Sequence, residues 1–366
     1  MSFDPILIRH QLHQIPELAF NEYKTKALIK SYLDSFGELK IIEFANSTAL
    51  LAVYSHGEGE YQLFRADMDA LPVEEETHCD FISQHAGMMH ACGHDVHCAI
   101  LLGLIQEVCI SKPRVNALFL FQPAEEGKGG AEAVLAEGII QSYPIKAAYA
   151  LHVNPKLGLN QVSTKAGIFF AIPQEFDVDF IGKSAHAAFP EAGKDAMNGG
   201  IKFYQQIKAE IAELVHEEPL IFHVGKISSG AIRNIIADKC KLEGTHRTLS
   251  VARKKQLNQM IVDCANRVAK EEQLLCDVDF LCSYEPVVND PELYERFVET
   301  CKNHSVDFIP SPIYMTGEDF GFFTTLYPGL LFWLGANDPD HDLHSGTLLP
   351  DDACITNGIK ILYQLL

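Results

Sequence analysis

Residues 88–104, MMHACGHDVHCAILLGL, crowd three histidines, a cysteine and an aspartate into positions 90–97, directly ahead of an apolar run. The run has the length and composition of a buried helix, with Asp95 as its expected N-cap. Metal-binding side chains therefore collect where a loop enters a helix, and the rest of the chain is read outward from this junction.

On either side of it, helix-like and strand-like patterns alternate. PILIRHQLHQIPELAF (5–20) and EYKTKALIKSYLDSF (22–36) have helical spacing, the second with Ala27, Leu28, Tyr32 and Leu33 on one face. TALLAVYS, YQLFRAD, VNALFLFQP and AAYALHV are short apolar runs closed by polar or Gly/Pro signals, as buried strands are. GGAEAVLAEGII (129–140) reads as another helix. The alternation predicts an α/β domain with a largely parallel central sheet.

From residue 172 the order changes to strand, helix (Asp195–Leu214), two strands, helix (Arg253–Glu271) and strand, the order of a ferredoxin-like α+β module. The expected organisation is a first domain of residues 1–171 and 285–366, interrupted by an inserted domain of 172–284. A chain of 366 residues is long enough for both cores.

Composition narrows the function. The formal charge is −20, from 29 basic and 49 acidic residues, and no basic stripe offsets it, so nucleic acid and anionic membranes are excluded as partners. No run of about 18 apolar residues spans a membrane. The first residues lack a basic segment followed by an apolar one, which gives the expectation of a cytoplasmic protein. Ten cysteines without a CxxC pair fit reduced thiols.

Five polar clusters fall at the ends of expected strands or just after them, where open α/β sheets bind ligands. They are RADMDALP (65–72), HACGHD (90–95), FQPAEEG (121–127), LHV (151–153) and HDLHSG (341–346). Cys92 and His94 could face one ion, although a Cys-x-His pair alone equally suits a buried thiol beside a helix cap. Glu125 and Glu126 repel each other unless a cation offsets them, but a solvated acidic loop would look the same. His152 could be a core histidine and His344 a surface one. Taken together, Cys92, His94, Glu126, His152 and His344 would hold one or two metal ions.

These motifs, with GKSAHAAFP (182–190), NIIADKCKLEGTHRT (234–248) and MTGEDF (315–320), resemble those of the metallo-amidohydrolases related to aminoacylase and carboxypeptidase, in the subgroup of the hippurate and auxin-conjugate hydrolases. FQPAEEGKGGAE, TGEDFGFF and FWLGAND look most like the members that act on N-acetyl-LL-2,6-diaminopimelate.

The resemblance implies a zinc-exopeptidase-like catalytic domain and an inserted lid and dimerisation domain, hence a homodimer. It implies two divalent ions (Zn, Mn, Co or Ni) on Cys92, His94, Glu126, His152 and His344, with Cys92 bridging. Glu125 would be the general base for a metal-activated water that cleaves an N-acyl amino acid. His186 would reach the partner's active site to polarise the carbonyl, and Asn234 and Arg247 would lie near substrate. Arg65 replaces a metal-binding histidine of the wider superfamily. That leaves Asp67 to orient a ligand histidine, with Glu318 and Asp319 nearby. Broader N-acyl specificity, a catalytically silent scaffold and a Cys92 nucleophile are the alternatives.

Overall fold

Every side chain of Asn116–Gln122 is buried, the signature of a strand covered on both faces. The computed structural model describes residues 3–212 and 219–366. Its elements in chain order are α1 (Pro5–His13), α2 (Tyr23–Ser35), β1 (Lys40–Glu43), β2 (Leu50–Tyr54), β3 (Tyr61–Asp67), α3 (His94–Ser111), β4 (Asn116–Gln122), α4 (Gly130–Ala136), β5 (Ile145–Asn154), β6 (Gln161–Thr164), β7 (Gly167–Phe170) and β8 (Ile172–Ile181). They continue as α5 (Ala196–Ala212), β9 (Ile221–Ser229), β10 (Lys239–Thr248), α6 (Val251–Glu272), β11 (Leu275–Ser283), β12 (Val287–Asn289), α7 (Pro291–Asn303), β13 (Asp307–Pro310), α8 (Gly321–Leu326), β14 (Gly329–Gly335) and α9 (Ala353–Tyr363).

The chain divides into two compact units. The first comprises Met1–Phe169, Val287–Ile313 and Glu318–Leu366, the second Phe170–Pro286 and Tyr314–Gly317.

In the first unit an eight-stranded sheet runs β1-β2-β4-β3-β5-β14-β6-β13. Its centre, β4-β3-β5-β14, is parallel throughout, whereas β1, β2 and β6 join antiparallel to their inner neighbours. The C-terminal ends of four adjacent strands therefore open on one edge.

Helix α3 is long and apolar enough by length and composition to cross a membrane, yet most of it is buried inside the unit, as a core helix is. It packs on α1 and α9. Gly103 makes the α9 contact possible, because a Cβ there would lie 2.2 Å from Ile359 Cδ1.

Two local expectations change. Asp95 does not cap α3; the cap position is Gly93, at φ +80°. The Asp95 carboxylate is drawn instead to Arg9 Nε at 3.0 Å and His13 Nδ1 at 2.9 Å, both on α1. In α2 the buried positions are Thr25, Ile29, Tyr32 and Leu33, and Ala27 is exposed. Tyr32 and Leu33 face the core as expected and Leu28 packs at its edge, while Thr25 and Ile29 complete the buried face in place of Ala27.

The second unit is an antiparallel sheet, β11-β8-β10-β9, with α5 and α6 packed on one face. Its βαββαβ sequence in this order is ferredoxin-like. Phe176, Val178 and Phe180 of β8 alternate inward to meet Phe203, Ile207, Leu257 and Ile261. The expected end of α5 at Leu214 lies outside the described residues.

One buried histidine gives this unit a pH dependence. His246 on β10 is fully buried, with Nε2 2.7 Å from Asn258 Oδ1, and burial lowers its pKa to about 4. The unfolded chain takes a proton near pH 6.5 that the folded unit refuses until about pH 4, so stability falls across that window on acidification. Amide exchange of β10 and α6, corrected for intrinsic rates, should show this loss of protection. His246→Gln, which retains a donor for Asn258, should show a smaller one.

Candidate metal centre

The loop before α3 reaches the end of β5 through Gly93. A Cβ at this residue would lie 2.5 Å from Val153 Cγ2, and its φ is positive. This approach sets Cys92 Sγ 3.4 Å from His152 Nε2 and the His94 and His152 rings nearly perpendicular, 5.8 Å apart.

Main-chain oxygens fix both rings. His94 Nδ1 lies 2.9 Å from Asp69 O, and His152 Nδ1 lies 2.8 Å from Val153 O. Each Nδ1 therefore carries a proton, which leaves Nε2 as the ring atom that faces another partner. His94 Nε2 is buried with no hydrogen-bond partner.

The end of β4 supplies the paired glutamates from a strained turn. Ala124 adopts φ +57°, an unfavourable conformation for a residue with a Cβ. Two carboxylates hold the turn. Glu22 Oε1 accepts from Ala124 N at 3.0 Å, and Asp69 accepts from Glu125 N at 3.1 Å and Glu126 N at 3.0 Å.

From this turn the two side chains take different hydrogen-bonding partners, although both stay within 4.8 Å of a ring nitrogen of His94. Glu126 Oε1 lies 3.2 Å from His344 Nε2. His344, itself at φ +68°, is anchored through its N–H to Ala91 O at 2.7 Å. Glu125 is buried with one oxygen 3.4 Å from the Asp319 N–H.

Behind these residues Arg65 is completely enclosed. Its guanidinium meets Asp67 and Asp319 at 2.6 Å, Gln122 at 2.9 Å and Glu318 at 3.2 Å. Asp67 also bonds His97 Nδ1 at 2.6 Å, and His97 Nε2 accepts from Val153 N at 2.9 Å.

The electrostatics follow from burial and neighbours. Burial raises the Glu125 pKa well above the carboxylate range, reinforced by Glu318, Glu126 and Asp319 and only partly offset by Arg65. Burial would also raise Glu126, but His344 and His94 hold it below the usual value. Burial pushes the Cys92 thiol well up, with Glu126, Glu125 and Asp67 adding to it. A nucleophilic cysteine needs the opposite direction, which weighs against the Cys92-nucleophile alternative.

The donors suit a metal pair. Cys92–His94–His152 and Cys92–Glu126–His344 each place three ligand atoms within 4.8 Å of one another, and the sets share the cysteine. Thiolate, imidazole and carboxylate are the donors of borderline divalent cations, and the partnerless His94 Nε2 is where one fits.

The first unit thus brings together Cys92, His94, Glu125, Glu126, His152 and His344, with Asp67, Glu318 and Asp319 around Arg65. Asp67 bonds His97 and lies 3.8 Å from His94 Nε2; the contact to His94 Nδ1 comes from Asp69. His186, Asn234 and Arg247 belong to the second unit. There His186 is exposed, its Nδ1 accepts from Ala188 N at 3.0 Å, and the adjacent Ala187 N donates to Asn234 O at 3.0 Å. Arg247 is half-buried on β10 beside Thr245. Sequence reading passed over Asp69 and His97, although both stand inside quoted motifs, and Glu22, which no motif marks.

A family model described as peptidase family M20/M25/M40 matches residues 63–366. An N-acetyldiaminopimelate deacetylase of Lactobacillus helveticus is 37% identical, covering 98% of this chain and 95% of its own. The Bacillus subtilis protein of the same name is 37% identical, covering 98% and 96%. Among solved structures, a Bacillus subtilis dinuclear metal-binding peptidase of the M20 family superposes with a TM-score of 0.84 at 24% identity, covering 99% and 96% of the two chains, a likeness of fold.

Asp69 gives the site its most direct test. Its carboxylate holds both glutamate amides and its carbonyl fixes His94. In Asp69→Asn one amide N–H would face an NH₂ group. Substitutions of this kind cost roughly 10–100-fold in metal affinity or activity. Zinc titration of metal-free wild type and variant should show a drop of that size, with the circular dichroism spectrum unchanged.

Proposed function

This chain belongs to the peptidase family M20/M25/M40 and is an amide hydrolase, and on that premise we propose that it converts N-acetyl-LL-2,6-diaminopimelate to LL-diaminopimelate and acetate, a step of lysine biosynthesis. The observation that carries the reading is the different partnering of two adjacent glutamates. Glu126 lies 3.2 Å from His344 and belongs to the Cys92 set, whereas Glu125 has one oxygen 3.4 Å from the Asp319 N–H at the border of that set, where it still groups with His94. The substrate rests on the full-length relatives bearing that name.

In this reading the first unit is the catalytic domain, and Cys92, His94, Glu126, His152 and His344 would hold two divalent cations, Zn, Mn, Co or Ni, Cys92 being common to both donor sets. When bound, the cations polarise the scissile carbonyl and lower the pKa of water toward neutrality. Glu125 takes the proton of the attacking water and returns it to the departing amine nitrogen. Its burial and anionic neighbours raise its proton affinity, which suits a group that must hold the proton between the two steps.

The second unit acts as lid and dimerisation domain of a homodimer. His186, whose Nδ1 is occupied, presents Nε2–H as the donor to the developing oxyanion. Asn234 and Arg247 contact the substrate. The location is cytoplasmic in this reading, supported by ten cysteines that form no disulfide with one another.

Comparative kinetics test the substrate. N-acetyl-LL-diaminopimelate should be cleaved with a kcat/KM well above that for hippurate or N-acetylmethionine. Its distant amino-acid end satisfies polar groups that a neutral side chain leaves unpaired. Equal turnover of hippurate would favour the broad amidohydrolase.

Action of His186 across the dimer has its own test. Glu125→Gln and His186→Ala should each be nearly inactive. Co-refolded mixtures should recover part of the wild-type rate, because one site of each heterodimer combines an intact Glu125 with an intact His186. Inactive heterodimers whose parents fold and bind metal would overturn it.

A further inference from the structure

A second group of metal-ligand side chains lies in the first unit, built from residues that the centre above does not use. The segment PVEEETHCDFISQHAGM (72–88) has neither helix nor strand, and irregular loops of this length are commonly functional. Its hub is Glu75. The Glu75 side chain, only 3% exposed, takes the Ser83 N–H at 2.7 Å on one oxygen and the Thr77 hydroxyl on the other.

That second oxygen, Oε1, also meets His13 Nε2 at 3.2 Å and Cys79 Sγ at 3.7 Å. His13 Nε2, Glu75 and Cys79 Sγ all lie within 4.8 Å of one another. Ligand bonds of about 2.0 Å to nitrogen or oxygen and about 2.3 Å to sulfur, at tetrahedral angles, separate donor atoms by roughly 3.3–3.6 Å. The observed spacings bracket that range.

The histidine is also oriented as a ligand would be. Its Nδ1 lies 2.9 Å from the buried carboxylate of Asp95, the carboxylate–histidine arrangement that fixes a metal-binding imidazole. Phe81 covers the cluster, edge-on to His13 and beneath the guanidinium of Arg9. Cys79 is half-buried, which leaves an approach from solvent.

We propose that His13, Glu75 and Cys79 form a separate mononuclear site for a thiophilic divalent cation, zinc by its donor set, which fastens the 72–88 segment to α1. The His13 and Cys79 protons now both point at Glu75 Oε1. The cation replaces them, binding the Cys79 thiolate, the neutral His13 imidazole and the Glu75 carboxylate, and releases two protons to solvent. Burial would lower the His13 pKa, yet Asp95 and Glu75 outweigh it and raise it to about 9. The same negative potential that retains this proton attracts a dication.

Zinc stoichiometry decides the matter whatever the occupancy of the first centre. Wild type and Cys79→Ser are equilibrated with zinc buffered in the micromolar range, and bound metal is counted by elemental analysis. Cys79 is half-buried and outside the catalytic set, so the variant should fold and turn over substrate as wild type does; matched metal-free melting curves check the fold. The expected result is one equivalent fewer in Cys79→Ser. Cobalt loaded into Cys92→Ser should still give a cobalt–thiolate absorption, and Cys92→Ser/Cys79→Ser should lack it. An unchanged zinc count, or a lost equivalent without a Cys79-dependent cobalt–thiolate band, overturns the site.

Discussion

Buried negative charge is the constraint around which the first unit is built. Asp67, Asp69 and Glu125 are buried at or just after the ends of β3 and β4, and Glu318 and Asp319 are buried in the loop before α8, with Glu126 next to Glu125. Arg65 is the one permanently charged cation that the described residues enclose there. Each ion withdrawn from water costs on the order of several kcal/mol unless it is paired. Arg65 pairs Asp67, Glu318 and Asp319. Asp69 is met by main-chain N–H groups and His94. Burial and the neighbouring carboxylates raise the proton affinity of Glu125, Glu318 and Asp319, whereas His344 and His94 hold Glu126 below the usual value. The two neighbouring glutamates thus sit in different electrostatic environments.

Backbone geometry accompanies that difference. Ala124 and His344 hold positive φ without being glycine, and Gly93 does so where no Cβ fits. Strain of this sort costs on the order of 1–3 kcal/mol per residue and persists only where the surroundings over-determine it. Here they do. Glu22 and Asp69 hold three successive N–H groups of the 124–126 turn, and Ala91 O holds His344.

What the sequence disclosed, and what it hid, follows from the range of the interactions. Asn116–Gln122 and Ile145–Asn154 are legible because their burial on both faces writes itself as continuous apolar runs. Gln161–Thr164 and Asp307–Pro310 span only four residues each and escape such a pattern. The ligand candidates stood out because Cys92, His94 and the glutamate pair are dense in metal-binding side chains over a few positions. Asp95 looked like a cap because local rules favour it, whereas the groups that claim it, Arg9 and His13, come from α1, more than eighty residues away. Asp69 works partly through its carbonyl, which no side-chain pattern reveals. Glu22 gave no signal at all, since its partner amide belongs to Ala124.

These long-range contacts extend the catalytic apparatus beyond its most recognisable part. The family model begins at residue 63, yet the segment before it holds the centre from behind. Glu22 bonds the turn that carries Glu125, and Glu17 O receives the Ala70 N–H beside Asp69. Arg9 and His13 clamp Asp95, the residue next to His94, and Arg9 also reaches Pro350 O and Asp352 at the start of α9. The first turn of α3 is thereby pinned between the N-terminal helix and the C-terminal helix. Because Asp95 adjoins His94 in the chain, α1 holds the residue next to a candidate ligand, and the N-terminal segment supports the centre rather than hanging from it as an appendage.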